Sequence, residues 1–124
     1  MNWKEIELLG HVYYAKQGYR ILVSLVENHG YDFVAEKNGR FIRVNVKTAG
    51  LKDKNDKESW SIAEAGGSTP KKKQYPSEVD VYLVWVPTLD KFIEMPGDFL
   101  DNMRSKSRRI PKKFYNRELR LPLI

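Results

Sequence analysis

The fold is decided by residues 31–48, YDFVAEKNGRFIRVNVKT. Two strand-like runs are separated by Asn38-Gly39, which favours a two-residue type I′ turn because both central residues of that turn need positive φ. A two-residue loop also sets the register of the hairpin. Asp32 is therefore predicted to face Asn45, with Lys47 two residues further along the same face. A β-bulge would shift this register.

The two faces of the predicted hairpin differ in polarity. The polar face carries a carboxylate (Asp32), a carboxamide (Asn45) and a lysine (Lys47), although polar residues are also what ordinary alternation puts on a solvent-facing strand. The hairpin alone therefore leaves open whether this face is a site or plain surface. The opposite face is apolar and predicts contact with a core: Phe33, Ala35, Ile42, Val44 and Val46.

The elements around the hairpin complete an α/β pattern. Apolar residues at helical spacing predict an amphipathic helix over residues 3–17 that ends at Gly18, and Glu7 lies on a stripe beside its apolar face. The apolar residues of this helix are Trp3, Ile6, Leu9, Val12 and Tyr13. The other predicted elements are strands over 20–26, 79–87 and 91–95, a polar loop over 50–77 with a short strand near 60–63, and a helix from 97 to about 104.

Length and composition narrow the class of protein. The 124 residues predict a single domain, residues 1–124, and the 41% of hydrophobic residues are enough to bury a core. The chain contains no cysteine, which excludes disulfide scaffolds, thiol catalysis and cysteine zinc sites. The sequence shows neither a signal peptide pattern nor an apolar run long enough to span a membrane. We therefore expect a soluble, cytoplasmic protein without a membrane partner.

The positive charge is concentrated at one end of the chain. Residues 1–100 contain 14 basic and 14 acidic residues, whereas residues 101–124 contain 8 basic and 2 acidic ones, which accounts for the net charge of +6. A basic segment indicates nucleic acid binding, although a solvated tail has the same composition. We favour DNA or RNA as the partner. The residues predicted to contact phosphates are Arg43, Lys71, Lys72, Lys73, Arg104, Lys106, Arg108, Arg109, Lys112 and Lys113.

Several of these residues occur in an order that resembles the PD-(D/E)XK nuclease superfamily. The resemblance rests on Gly30-Tyr31-Asp32, on Arg43–Ala49 (RVNVKTA), on a Lys-x-Gly-Tyr step that follows the first helix, and on a later Val-Asp strand that ends in Pro87. It covers roughly residues 4–96 and is nearest to a branch of small endonucleases of the homing type. It implies a restriction-endonuclease-like α/β fold, in which a central mixed β-sheet is flanked by helices.

The resemblance also implies roles for four residues. Asp32 matches the first metal-binding carboxylate of the superfamily, Lys47 its catalytic lysine and Glu7 its helix glutamate. Asn45 takes the place of the second acid. Together these four form the predicted catalytic set, and Glu7, Asp32 and Asn45 are predicted to hold Mg²⁺ or Mn²⁺. Because an amide offers a carbonyl oxygen without negative charge, we expect weaker metal binding than a carboxylate gives, and slow or absent cleavage.

The function expected from this reading is a Mg²⁺-dependent DNA endonuclease related to the homing type. Two alternatives stay open: a DNA-binding protein that has lost catalysis at Asn45, and a structure-selective nuclease resembling a Holliday junction resolvase. Cleavage of both strands needs two sites, so a homodimer or larger homo-oligomer is expected. His11 and His29 are interpreted as structural histidines, and Glu36 as a solvent-facing residue beside the turn.

Overall fold

The structure is a computed structural model that describes residues 1–25, 30–53, 56–63, 78–98 and 107–109, with side chains up to residue 50 and over 78–98. Among the described residues, no helix has the length and hydrophobicity that crossing a membrane requires. The elements in chain order are α1 (Trp3–Ala15), β1 (Arg20–Leu22), β2 (Phe33–Lys37), β3 (Arg40–Asp53), β4 (Asp56–Ala63), β5 (Val81–Val86), β6 (Lys91–Pro96) and β7 (Ser107–Arg109).

The strands form a mixed sheet with β3 at its centre. On one side β3 is antiparallel to β2, which is antiparallel to β1. On the other side β3 runs parallel to β5, which is antiparallel to β6. The far half of β3 continues beyond these pairings and is antiparallel to β4, which in turn pairs with β7. The predicted central mixed sheet is therefore confirmed. Strand β4 links the far half of the central strand β3 to β7 in the basic C-terminal segment.

The β2–β3 hairpin has the predicted register over the whole of β2. Asn38 and Gly39 at the turn have φ angles of 54° and 82°, as a type I′ turn requires. The paired residues run from Lys37 opposite Arg40 to Phe33 opposite Val44. Local turn chemistry is thus sufficient to set this pairing.

Helix α1 packs against one face of the sheet. Its first turn is closed by a capping box, in which the side chains of Asn2 and Glu5 each accept a hydrogen bond from the other residue's amide, at 2.9 and 2.8 Å. At the other end the hydroxyl of Tyr14 donates to Glu94 on β6 at 2.6 Å. Of the predicted apolar side of the hairpin, Phe33, Ala35 and Val44 are buried in the cluster between helix and sheet, and Ile42 and Val46 pack against it partly buried. The other buried members of this cluster are Ile6, Tyr13, Tyr14, Leu83, Trp85 and Phe92.

A second buried cluster lies on the other face of the sheet. Its members are Ala49, Val79, Tyr82, Val84, Val86, Ile93 and Met95, and the partly buried Tyr31 packs against them. Because alternate residues of a strand point to the same side, Asn45 and Lys47 lie on the face of β3 that carries Ala49. The polar side of the hairpin is therefore built beside a core rather than on an open surface.

The helix prediction is correct in extent and partly wrong in its buried face. The helix ends at Ala15, close to the predicted end, and Gly18 follows with a φ of 93°. Trp3 and Val12, which were assigned to the apolar face, are 69% and 37% exposed. Ile6 and Tyr13 of the predicted face are buried against the sheet together with Tyr14 and Gly10, whose small size allows close approach.

Two predictions about strands need correction, and two other predicted segments lie mostly outside the described residues. The first strand stops at Leu22, which pairs with Val34 of β2, instead of continuing to residue 26. Residues 50–63 are not mainly loop: the end of β3 and β4 form a hairpin, which supplies partners for their backbone groups. The predicted helix after 97 lies outside the described residues from 99 onwards, as does the loop over 64–77.

Candidate active site

Asp32 lies where the β2–β3 ladder breaks. Strand β2 begins at the next residue, and the last pair of its ladder with β3 is Phe33 with Val44. The Asp32 amide donates to the carbonyl of Val44 at 2.8 Å, so the predicted pair of Asp32 with Asn45 is not part of the ladder. The carboxylate takes the place of a strand partner, because its Oδ2 accepts a hydrogen bond from the amide of Val46 at 2.6 Å. The side chain of Asp32 is thereby held against the backbone of β3 at the rim of the sheet.

Asn45 precedes Val46 on β3, and its amide group has two different surroundings. The Nδ2 atom donates to the carbonyl of Gly30 at 3.1 Å. Since a carbonyl only accepts, the NH₂ half of the amide must face Gly30, and Oδ1 is the other half. That oxygen is buried, and no described residue donates a hydrogen bond to it. A buried carbonyl oxygen without a donor is uncommon and is suited to a ligand.

Lys47 lies two residues beyond Asn45 on the same side of β3. Its Nζ is 5.8 Å from the ring centroid of Tyr82 on the neighbouring strand β5. Lys47 is also close enough to Asp32 for its positive charge to act on that carboxyl. The structure therefore brings Asp32, Asn45 and Lys47 to one place on the sheet.

The neighbours of Asp32 do not fully offset the cost of removing water from its negative charge. The protein around it displaces water and raises its pKa, while the Val46 amide, Lys47 and His11 act in the opposite direction without cancelling the rise. The side chain nevertheless remains open to solvent at the rim. A carboxylate whose surroundings disfavour its charge is one that a bound cation stabilises.

His11, which is predicted from the sequence to be a structural histidine, lies near the candidate site. Its ring packs edge-to-face on Phe33, with 4.6 Å between centroids. Burial lowers the pKa of His11, and the nearby Asp32 acts to raise it. Its Nε2 is buried and has no hydrogen-bond partner within the described part of the chain. The signal in the sequence was its spacing of four residues from Glu7, which puts both on one stripe of α1.

Glu7 is half-buried on that stripe of α1. Within residues 1–25, 30–50 and 78–98, no three Asp, Glu or His side chains lie close enough together to hold a metal ion. The predicted ligands therefore do not form a cluster of several acids. The oxygen donors that the structure brings together are the carboxylate of Asp32 and the amide of Asn45.

These two donors fit a hard divalent cation in type, although they carry only one negative charge. Carboxylate and amide oxygens are ligands that Mg²⁺ and Mn²⁺ accept, and Mg²⁺ is commonly bound through one or two carboxylates, retained waters and substrate phosphates. The buried Oδ1 of Asn45, to which no described residue donates, is the observation that supports the fit.

Arg43 forms an ion pair with the carboxylate of Asp80. Its Nε and Nη2 donate to the two oxygens of Asp80, each at 3.0 Å, and its backbone amide donates to Oδ2 at 2.8 Å. This pairing raises the pKa of Arg43 and lowers that of Asp80. It ties β3 to the start of β5 and offsets the charge that was predicted to contact phosphate.

The other predicted phosphate contacts are only partly within the described chain. Arg108 and Arg109 belong to β7, whose backbone pairs with Ile62 and Ser61 of β4. The remaining predicted basic residues lie outside the described residues: Lys71, Lys72, Lys73, Arg104, Lys106, Lys112 and Lys113. His29 also lies outside them.

Comparison with known proteins agrees with this fold. The sequence profile of the PD-(D/E)XK endonuclease family matches residues 5–117. The solved structure of a bacterial homing endonuclease, I-Ssp6803I, is similar with a TM-score of 0.69 and 15% sequence identity, over 93% of this chain and 82% of that one. No curated protein sequence matches significantly. The likeness in structure confirms the predicted restriction-endonuclease-like fold.

Proposed function

Because this chain belongs to the PD-(D/E)XK endonuclease family, we propose that it is a divalent-metal-dependent endonuclease that hydrolyses phosphodiester bonds of DNA. The proposed site consists of Asp32, Asn45 and Lys47, with Glu7 on α1 as its fourth member. One observation carries the proposal. The buried Oδ1 of Asn45, to which no described residue donates, lies on the residue next to the amide that holds the Asp32 carboxylate.

The proposed tasks of these residues follow from their chemistry. Asp32 and Asn45 would hold Mg²⁺ or Mn²⁺ through oxygen atoms, with Glu7 contributing from the helix. When bound, such a cation lowers the pKa of water and neutralises charge on a phosphate. The ammonium group of Lys47 would orient the attacking water and stabilise the negative charge that develops on the phosphoryl group. The amide of Val46 keeps the Asp32 carboxylate in one orientation throughout.

The basic C-terminal segment, residues 101–124, would bind the DNA backbone. Its strand β7 pairs with β4, and β4 pairs with the far half of β3. The same strand β3 carries Asn45 and Lys47, so contacts from this segment would lie on the continuation of the strand that holds the site. Since one such site cuts one strand, we also propose that two copies of the chain act together on duplex DNA.

The test is a cleavage assay of wild type and Lys47→Ala on supercoiled plasmid and on four-way junction DNA, with Mg²⁺, Mn²⁺ or a chelator. Lys4→Ala is the matched control, because Lys4 lies in the first turn of α1 with its Nζ over the ring of Trp3. We expect wild type and Lys4→Ala to cut only with metal, and Lys47→Ala to cut about 100-fold more slowly or less. Equal rates for wild type and Lys47→Ala would overturn the proposed site.

The choice of DNA substrate separates the types of nuclease. Cleavage of long DNA at a few defined positions would support the homing type, whereas cleavage confined to the four-way junction would support a resolvase-like activity. Both kinds of cleavage would require metal and Lys47, so either result agrees with the proposed endonuclease and identifies its type.

The amide at position 45 favours one second candidate, a DNA-binding protein that no longer cuts. In that case wild type binds duplex DNA and neither metal produces cleavage. Binding would still depend on salt through the phosphate contacts, with the logarithm of affinity falling by about one unit per contact for each tenfold rise in salt. Alanine at Arg108, Arg109, Lys112 and Lys113 should reduce that slope under either candidate.

A further inference from the structure

We propose that asparagine is the residue this site is built to hold at position 45, because the carbonyl of Gly30 orients its amide and leaves Oδ1 as a neutral ligand. Gly30 is then a positioning residue for the site. The proposal rests on the proposed function and deepens it. By residue type alone, Asn45 is a weakened substitute for an acid. In the fold, the Nδ2 and Oδ1 atoms of its amide have separate tasks.

The first step is the contact itself. Nδ2 of Asn45 donates to the Gly30 carbonyl at 3.1 Å, and Oδ1 is buried without a donor among the described residues. An aspartate at this position would place an oxygen without a proton against the same carbonyl. The two acceptors would repel each other, and the Gly30 carbonyl would lose its donor. Of the amide and the ionised carboxylate, only the amide supplies a donor to one side and an acceptor to the other.

The second step is that the backbone at Gly30 has close neighbours other than the side chain at position 45. A Cβ at Gly30 would lie 2.7 Å from Oε1 and 3.2 Å from Cβ of Glu78, so the backbone there is packed closely against that side chain. Two residues later the chain is held again, since the amide and carboxylate of Asp32 both bond to β3. Contacts that do not involve Asn45 therefore limit the movement of the Gly30 backbone on the side of Glu78 and toward Asp32.

The third step concerns what the orientation does for a ligand. An unrestrained amide can turn either its oxygen or its NH₂ group toward a cation, and only the oxygen binds one. The bond to Gly30 selects the oxygen in advance, so no orientational freedom is lost when a cation is bound. The site thus combines one fixed carboxylate, Asp32, with one fixed neutral oxygen.

The direct test is nuclear magnetic resonance of the Asn45 side-chain amide in the wild-type protein, assigned by through-bond correlation to the backbone of the same residue. We expect one of the two NH₂ protons to exchange slowly with solvent, the signal to shift on addition of Mg²⁺, and Mn²⁺ to broaden it. The side-chain amide of Asn2 is the internal control, because its Oδ1 caps α1 far along the chain from the site. An Asn45 amide that exchanges freely, or that ignores both metals, overturns the proposal.

The second test compares Asn45→Asp with Asn45→Ala in thermal unfolding and in DNA cleavage at pH 8. If Gly30 requires a donor, Asn45→Asp unfolds at a lower temperature than wild type and cuts about tenfold more slowly, as the loss of one buried hydrogen bond predicts. If position 45 serves only to bring a ligand, Asn45→Asp cuts at least as fast as wild type and only Asn45→Ala is impaired. That second result overturns the proposal.

The two proposals fail in distinguishable ways. A wild-type protein that does not cut, but whose Asn45 amide is protected and responds to Mg²⁺, contradicts the endonuclease proposal and supports this one. A wild-type protein that cuts, with an Asn45→Asp variant that cuts equally well, supports the endonuclease and overturns the role of Gly30. Should Asn45→Asp fail to fold, the wild-type resonance measurement decides by itself.

Discussion

Two carboxylates at opposite ends of one hairpin have opposite surroundings. Glu36, beside the turn, is buried, so the prediction that it faces solvent is wrong. Its carboxylate accepts hydrogen bonds from the amide of Gly39 at 2.9 Å and from Nε of Arg20 at 2.6 Å. The Gly39 amide and then Arg20 lower the pKa of Glu36. Asp32, at the other end, is open to solvent, yet the surrounding protein raises its pKa despite the nearby Lys47.

The difference separates the part of the hairpin that makes the fold from the part proposed to act. At the turn end, the ladder is regular and Glu36 has a partner for each of its oxygens. At the site end, the ladder breaks at Asp32 and the buried Oδ1 of Asn45 has no donor among the described residues. Local rules that hold throughout a fold are most often broken where a ligand is expected.

The largest expected effect contrasts two phenylalanines, one at each end. Phe33 is 1% exposed beside Asp32, whereas Phe41 is 62% exposed beside the turn. We expect Phe33→Ala to lower the free energy of unfolding by about 3–5 kcal/mol, because it removes a fully buried ring from the cluster under α1. Phe41→Ala should change it by roughly 0.5 kcal/mol or less. Urea unfolding of the two variants measures both, and equal losses would contradict the burial described here.

The second prediction applies the same chemical change to the two carboxylates. Asp32→Asn should slow DNA cleavage by about 100- to 1,000-fold, because it removes the negative charge of the carboxylate proposed to bind the metal. The fold should be retained, since the new amide oxygen can still accept from Val46. Glu36→Gln is the matched control and should cut at the wild-type rate, at a temperature where both variants are folded. A large loss of cleavage in Glu36→Gln alone would reverse the roles of the two ends.

The same contrast explains how much of the structure was predictable. The turn, the register of β2 against β3 and helix α1 depend on neighbours in sequence, namely the Asn38-Gly39 pair, alternation and the Asn2–Glu5 capping box. The parallel pairing of β3 with β5 joins residues 37 positions apart, such as Val44 with Val81. No local pattern specifies such a partner, so it follows only from the packed sheet.

The sequence predicts which residues belong to the candidate site, but not the contacts in which the structure holds them. The order of Asp32, Asn45 and Lys47 could be read from the chain. The break in the ladder could not, because it depends on a side-chain oxygen taking the place of a backbone partner for Val46. The hydrogen bond from Asn45 to Gly30 is another contact that alternation does not reveal. The pairing of Arg43 with Asp80 was missed because the two residues are distant in sequence.

The third prediction tests the turn end through two glycines of the same strand region. Gly39 has a φ of 82° and no atom within 4 Å of where a Cβ would lie, so Gly39→Ala should cost about 1–2 kcal/mol in backbone strain alone. Gly50 is equally open but is not in the left-handed region, and Gly50→Ala should be close to neutral. Chemical denaturation separates the two. Cleavage should be unchanged in both variants if the turn serves only the fold.

The smallest expected effect belongs to the ion pair at the turn end, and its sign with pH is defined. The pKa of Glu36 is lower in the folded protein than its ordinary value, so its ionised form stabilises the fold above about pH 4.3, and this stabilisation is lost as pH falls through the lowered value. Arg20 is 79% exposed in its side chain, so Arg20→Ala should destabilise the protein at pH 7 by less than Gly39→Ala does. The difference from wild type should disappear once Glu36 is protonated, and should shrink in high salt. Arg40→Ala removes an exposed arginine from the other side of the turn and should show no such pH dependence. A loss in Arg20→Ala that persists unchanged in acid would mean that Arg20 acts through packing of its side chain and not through its charge.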